Sequence, residues 1–77
     1  MGTDNPNAWA ISLVETLSPT LRSTLVLTSK GFTVQEIARL ENISPRAVDA
    51  RRERLYKLLD VGSAPEAAVI AAKAGIV

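Results

Sequence analysis

No stretch limits the fold of this chain more than Gly31–Asp60, GFTVQEIARLENISPRAVDARRERLYKLLD, which reads as two helices joined by a tight turn. Thr33 is placed to cap the first, and Glu36, three residues on, can return to the Thr33 amide in the reciprocal arrangement of a capping box. Ile37, Ala38 and Leu40 supply its apolar face, and the polar pair Glu41-Asn42 ends it. Ile43 leads into Ser44-Pro45, an N-cap followed by proline at the first helical position, where the missing N–H costs nothing. From Pro45 the chain runs without glycine or proline to Val61, which predicts a helix over 45–59. Val48, Leu55 and Leu59 follow at intervals of seven and four, one stripe of that helix. Arg46, Asp49, Ala50, Glu53, Arg54 and Lys57 fall on the opposite side. A short helix, a tight turn and a longer basic helix are the parts of a helix-turn-helix, whose second helix enters the DNA major groove.

The flanking segments carry the same punctuation. Asn5-Pro6 predicts an N-cap and first-turn proline for a helix over 6–16, with Trp9, Leu13 and Leu17 on one stripe and Ala10 and Val14 alongside. Trp9, the only tryptophan, reads as the core anchor of that helix, since nothing basic lies near it to support base stacking. Ser18-Pro19 opens a helix over 19–30, with Leu21, Leu25 and Thr28 on one side, Thr24 and Leu27 beside them, and Gly31 as the stop. Buried threonine hydroxyls there would donate to the carbonyl four residues back. Phe32 follows as a plug between this helix and the next. Val61-Gly62 breaks the chain, and Ser63-Ala64-Pro65-Glu66 reads as a second capping box opening a helix over 64–74 that Gly75 ends. Ala67, Ala71 and Ala74 share its inward side, flanked by Ala68, whereas Val69 and Ile70 fall outward with Glu66 and Lys73. Two branched apolar residues on an outward face point to a partner surface, unless neighbouring loops or Ile76-Val77 cover them. The expectation is an all-α chain of five helices with short connections.

Composition enters mainly by exclusion. A chain of 77 residues forms one small domain, and at that size only about 60% of the unfolded surface is buried, so each large apolar side chain matters. With neither cysteine nor histidine, disulfides, thiol nucleophiles, imidazole catalysis and Cys/His zinc sites are excluded. No Gly-rich phosphate loop or metal-ligand spacing occurs, and the carboxylates Glu36, Glu41, Asp49 and Glu53 lie on helix surfaces with basic neighbours. Neither an enzyme, a metal site nor a cofactor is expected. No apolar run approaches the roughly 20 residues that cross a bilayer, so no membrane partner is expected and a cytoplasmic location is. Net charge is only +1, but its distribution is uneven: residues 45–62 carry five basic and three acidic side chains, against three and four in residues 1–44.

Taken in order, Leu17-Ser18-Pro19, Gly31-Phe32-Thr33, Glu36-Ile37-Ala38, Ile43-Ser44, Ala47-Val48, Arg51-Arg52, Leu55-Tyr56-Lys57, Leu59-Asp60-Val61, Glu66-Ala67-Ala68, Ala71 and Gly75-Ile76-Val77 resemble the LuxR-type (GerE-type) DNA-binding domain. Each element is generic for a helical domain; the ordered set at these intervals is not. The resemblance covers residues 17–77, about four-fifths of the chain, and implies a four-helix LuxR-type helix-turn-helix domain there. Residues 1–16, an N-terminal arm and short helix, would be an addition to it. The resemblance further implies binding to double-stranded DNA in transcriptional regulation, as a homodimer. Its recognition helix falls at 45–59, with groove-facing positions Arg46, Asp49, Ala50, Glu53, Arg54 and Lys57. Its scaffold helix begins at Thr33-Val34-Gln35, where the Thr33 hydroxyl and the amides of this turn, Gln35 included, would meet a phosphate. Its last helix, often the dimer contact, matches 64–74, which assigns Glu66, Val69, Ile70 and Lys73 to the dimer interface.

The departures from that pattern bear on readout. Asp49 stands where the family usually has Lys or Arg; a carboxylate there can accept from a cytosine amino group but repels phosphates. Glu53 adds a second acid one turn later. Leu21 and Ser23 replace an acidic pair in the family's first helix, and Asp60 stands where glycine usually follows the recognition helix. Arg46, Arg51, Arg52, Arg54 and Lys57 can neutralise phosphates; Arg46 or Arg54 can instead hold a guanine, and Arg51 and Arg52, towards the flanks, point to backbone phosphates. The plainer account is a solvated helix held by i, i+4 pairs such as Glu53–Lys57. An alternative function is a protein-interaction module of the same fold, in which Asp49 and Glu53 grip another transcription regulator or RNA polymerase.

Overall fold

A computed structural model describes residues 5–77; the first four residues of the expected N-terminal arm lie outside the described residues. Among the described residues the chain is all-helical, as expected: α1 (Ala8–Glu15), α2 (Pro19–Ser29), α3 (Val34–Glu41), α4 (Pro45–Leu59) and α5 (Ala64–Lys73). The serine and threonine caps work as their positions suggest. The amides of Leu21, Glu36, Ala47 and Glu66 donate to the side chains of Ser18, Thr33, Ser44 and Ser63 at 3.2, 3.1, 3.1 and 3.4 Å. The box at Thr33 is complete. The one expected at Ser63 is not: its hydroxyl donates to Glu66 Oε1 at 3.0 Å, so that carboxylate is spent on the side chain.

The helix ends share a second device. Gly31, Asn42, Asp60 and Gly75 all have positive φ, and each is followed by an apolar residue whose amide reaches back across the last turn. Phe32 donates to Leu27 O, Ile43 to Ala38 O, Val61 to Tyr56 O and Ile76 to Ala71 O, at 3.0–3.2 Å. This is the Schellman closure, in which the left-handed residue folds the chain over the helix end and the next side chain packs against it. Asn42 and Asp60 adopt that conformation at a cost glycine would not incur.

The buried side chains form two clusters. The larger joins α1, α2, the C-terminal half of α4, and α5, through Ala10, Val14, Leu17, Leu21, Leu25, Leu55, Leu59, Ala67, Ile70 and Ala71. The smaller holds α3 against the start of α4 through Ile37, Ala38 and Val48, with Leu27, Phe32, Val34 and Ile43 around them. The stripe Val48–Leu55–Leu59 therefore runs through both, and α4 is the element that joins them.

Several expected placements are corrected. The first helix starts at Ala8, because Asn5 does not cap it: Asn5 Oδ1 accepts from the Asn7 amide at 2.9 Å, closing a local turn before the helix begins. The buried face of α1 is Ala10 and Val14, with Leu17 buried just past its end, and Trp9 is 48% exposed. The small Ala10 lets α1 lie close to the bundle, which turns Trp9 outward beside Lys73, whose Nζ is 6.0 Å from the ring centroid. Leu40 is 61% exposed, because α3 turns Glu41 inward beside Ile37 and Ala38. Thr24 donates to Thr20 O at 3.1 Å as expected, whereas the buried Thr28 hydroxyl has no partner. Ile70 is 4% exposed and lies in the larger cluster: with Ala67, Ala71 and Ala74 it forms a stripe at i, i+3, i+4 and i+7, which leaves Val69 alone on the outer face.

Candidate nucleic-acid interface

The outward side of α4 is framed by what holds the inward side. Val48 seats its first turns in the smaller cluster and Leu55 and Leu59 seat its last turns in the larger, so the helix cannot roll. Arg46, Asp49, Ala50, Glu53, Arg54 and Lys57 are all solvent-exposed as a result. They form two i, i+4 rows, Arg46–Ala50–Arg54 and Asp49–Glu53–Lys57. Lys57 Nζ lies 3.8 Å from Glu53 Oε1, a pair open to water on both sides and therefore worth little. Arg46, Asp49 and Arg54 have no ion-pair or side-chain hydrogen-bond partner among the described residues.

Arg51 and Arg52 are placed differently. Arg51 Nη1 lies 3.6 Å from Glu41 Oε2, and Glu41 Oε1 also accepts from Thr24 Oγ1 at 3.3 Å. One half-buried carboxylate thus ties α3 to both α2 and α4. Arg52 donates from Nε and Nη2 to the Tyr56 hydroxyl at 3.0 and 2.8 Å, and its guanidinium carbon lies 5.7 Å from that ring's centroid. Glu41 and Tyr56 are the positioning residues that the sequence does not single out. Tyr56 stands four residues after Arg52, a spacing that could have flagged it; Glu41 is ten residues before Arg51, and only the fold brings them together.

At the start of α3, Thr33 and Gln35 are exposed. The Thr33 amide donates to Glu36 Oε1 at 2.8 Å and is not free for a ligand; the Val34 and Gln35 amides remain as first-turn donors. The Thr33 amide, then the Thr33 side chain, and more weakly the Arg39 charge, hold the Glu36 carboxyl below its usual 4.5. A carboxyl lowered in the folded state adds stability above its unfolded value, and that contribution is lost as pH falls through the lowered one. Acidification below about 4.5 should therefore fray the first turn of α3, with the Thr33 amide resonance reporting the change. Glu36→Gln should remove that acid-dependent step, leaving the resonance flat over the same range.

Among the described residues no group of three or more acidic, histidine or cysteine side chains could hold a metal ion, and no helix is long and apolar enough to cross a membrane. Comparison with curated proteins and with solved structures gives no match. Residues 15–71, about three-quarters of the chain, match the family model described as bacterial regulatory proteins, luxR family. That span starts at the last residue of α1 and takes in α2, α3, α4 and most of α5. With its helix-turn-helix formed by α3 and α4 and closed by Asn42, the chain belongs to the luxR family of DNA-binding transcription regulators.

Proposed function

We propose that the chain binds duplex DNA sequence-specifically as a two-fold homodimer in the cytoplasm, with α4 laid in the major groove and the start of α3 on the flanking phosphates. The observation that carries this is the unpartnered row Arg46–Ala50–Arg54 on the helix that both clusters hold. Eight residues of helix span about 12 Å, so the two guanidinium groups reach along a groove with only a methyl group between them. Arg46 and Ala50, in the first turns, face base edges; Arg54 and Lys57 face the backbone. Arg51 and Arg52 support the helix through Glu41 and Tyr56, and any phosphate contact they make competes with those bonds.

The dimer contact lies on the outer face of α5, where half-exposed Val69 sits between Glu66 and Lys73. In a two-fold antiparallel pair, Glu66 of one copy would stand opposite Lys73 of the other. Pairing there sets two α4 helices about one DNA turn, 34–36 Å, apart and calls for a partly palindromic site.

Titration of random-sequence duplex at rising salt tests the reading. Neutralised phosphates release counterions, so log K should fall linearly with log salt, by about 0.9 per phosphate contact. Binding that ignores salt, or none at low salt, would reject it. Asp49 and Glu53 on the same exposed face favour the second reading, docking on another regulator or on RNA polymerase, and the absence of DNA binding would move the assignment there.

A further inference from the structure

Of the two acids on the outward side of α4, one has a cation beside it and one does not. The Glu53 carboxylate has Lys57 at 3.8 Å, whereas Asp49 has no cation or hydrogen-bond donor among the described residues. Asp49 is the fifth residue of α4, within the first two turns after the Ser44 cap, where a recognition helix meets base edges. Its neighbour Ala50 is too small to hold the helix away from the base pairs. A carboxylate in that position must find a donor or be repelled, because it can only accept.

The major groove offers few donors. Guanine presents two acceptors and thymine one, so both oppose a carboxylate, as phosphates do. Adenine pairs its amino donor with the N7 acceptor beside it, which a second carboxylate oxygen would meet head-on. Cytosine presents its exocyclic amino group with no acceptor on its own groove edge. We propose that Asp49 is a specificity-determining residue of the DNA interface, accepting a hydrogen bond from the exocyclic amino group of a cytosine and thereby confining one position of each half-site to that base. The assignment rests on the DNA-binding reading above. Arg46, three residues earlier on the same face, stands where it can hold a guanine beside that cytosine.

The test is selection of bound duplexes from a random pool by the purified full chain, repeated with Asp49→Ala and Asp49→Asn. The Asp49 side chain makes no hydrogen bond or ion pair among the described residues, and unchanged thermal melts will show that both variants fold. Wild-type selections should show a cytosine at one position of each half-site, favoured over thymine by about tenfold or more in direct competition. Asp49→Ala should lose that preference while the other positions keep theirs. Asp49→Asn should move it to adenine, because an amide donates to N7 and accepts from the amino group. Identical base preferences in wild type and Asp49→Ala would overturn the assignment while leaving DNA binding intact. A wild-type chain that binds no duplex at low salt would overturn both together.

Discussion

Alanine at Arg46 and Arg54 together should weaken binding to duplex DNA by about 2–6 kcal/mol, roughly 30-fold or more, from losses of about 1–3 kcal/mol per guanidinium. The two side chains are exposed and without a hydrogen-bond or ion-pair partner among the described residues, so the double variant should melt where the wild type does. Each phosphate contact removed should flatten the dependence of log K on log salt by about 0.9, whereas a lost base contact reduces discrimination at one position and leaves the slope alone. Fluorescence anisotropy at several salt concentrations separates the two roles. Arg52→Ala is the matched control: its guanidinium is engaged by the Tyr56 hydroxyl and ring, so the melting temperature should fall with little change in salt slope. Equal affinity of the double variant and the wild type would remove α4 from the interface.

Leu55→Ala should cost about 2–5 kcal/mol. The side chain is fully buried in the larger cluster, where α4 meets α1, α2 and α5. Against the total of about 4–12 kcal/mol expected for a domain of 77 residues, a loss of that size leaves a large unfolded fraction at the low end of the range. Urea denaturation followed by circular dichroism should show the midpoint falling with the slope unchanged. Leu58, three residues on and 50% exposed, is the internal comparison, and its alanine variant should shift the midpoint far less. Comparable losses at the two leucines would mean that the face of α4 assigned to the core is wrong.

How much of the fold is legible in the sequence follows the range of the interactions. Ser18, Thr33, Ser44 and Ser63 cap their helices as their positions suggest, because a cap is settled within four residues. The stripe Val48–Leu55–Leu59 was legible because the opposite side of that helix is charged at every position but Ala50. Helical phase was lost where charge gave no contrast. In α1, apolar residues lie all round the helix: Ile11 and partly buried Leu13 flank the buried Ala10 and Val14, so close packing through Ala10 decided that Trp9 turned outward. In α5 the alanines surround the helix, and Ile70 fell to the core through its spacing from Ala67 and Ala71. The candidate interface divides the same way. Six outward positions of α4 follow from periodicity, but the internal commitment of Arg51 depends on Glu41 folding in from another helix.

The unbonded condition of Arg46, Asp49, Ala50 and Arg54 has a consequence for how such a scaffold can diversify. All four are exposed, and among the described residues their side chains make no hydrogen bond or ion pair. On the DNA-binding reading proposed above, changing them would alter the address that is recognised without disturbing the fold that presents it, much as a key blank accepts many cuts. A lineage built on this framework can acquire new operators one substitution at a time, each step remaining a folded, testable protein.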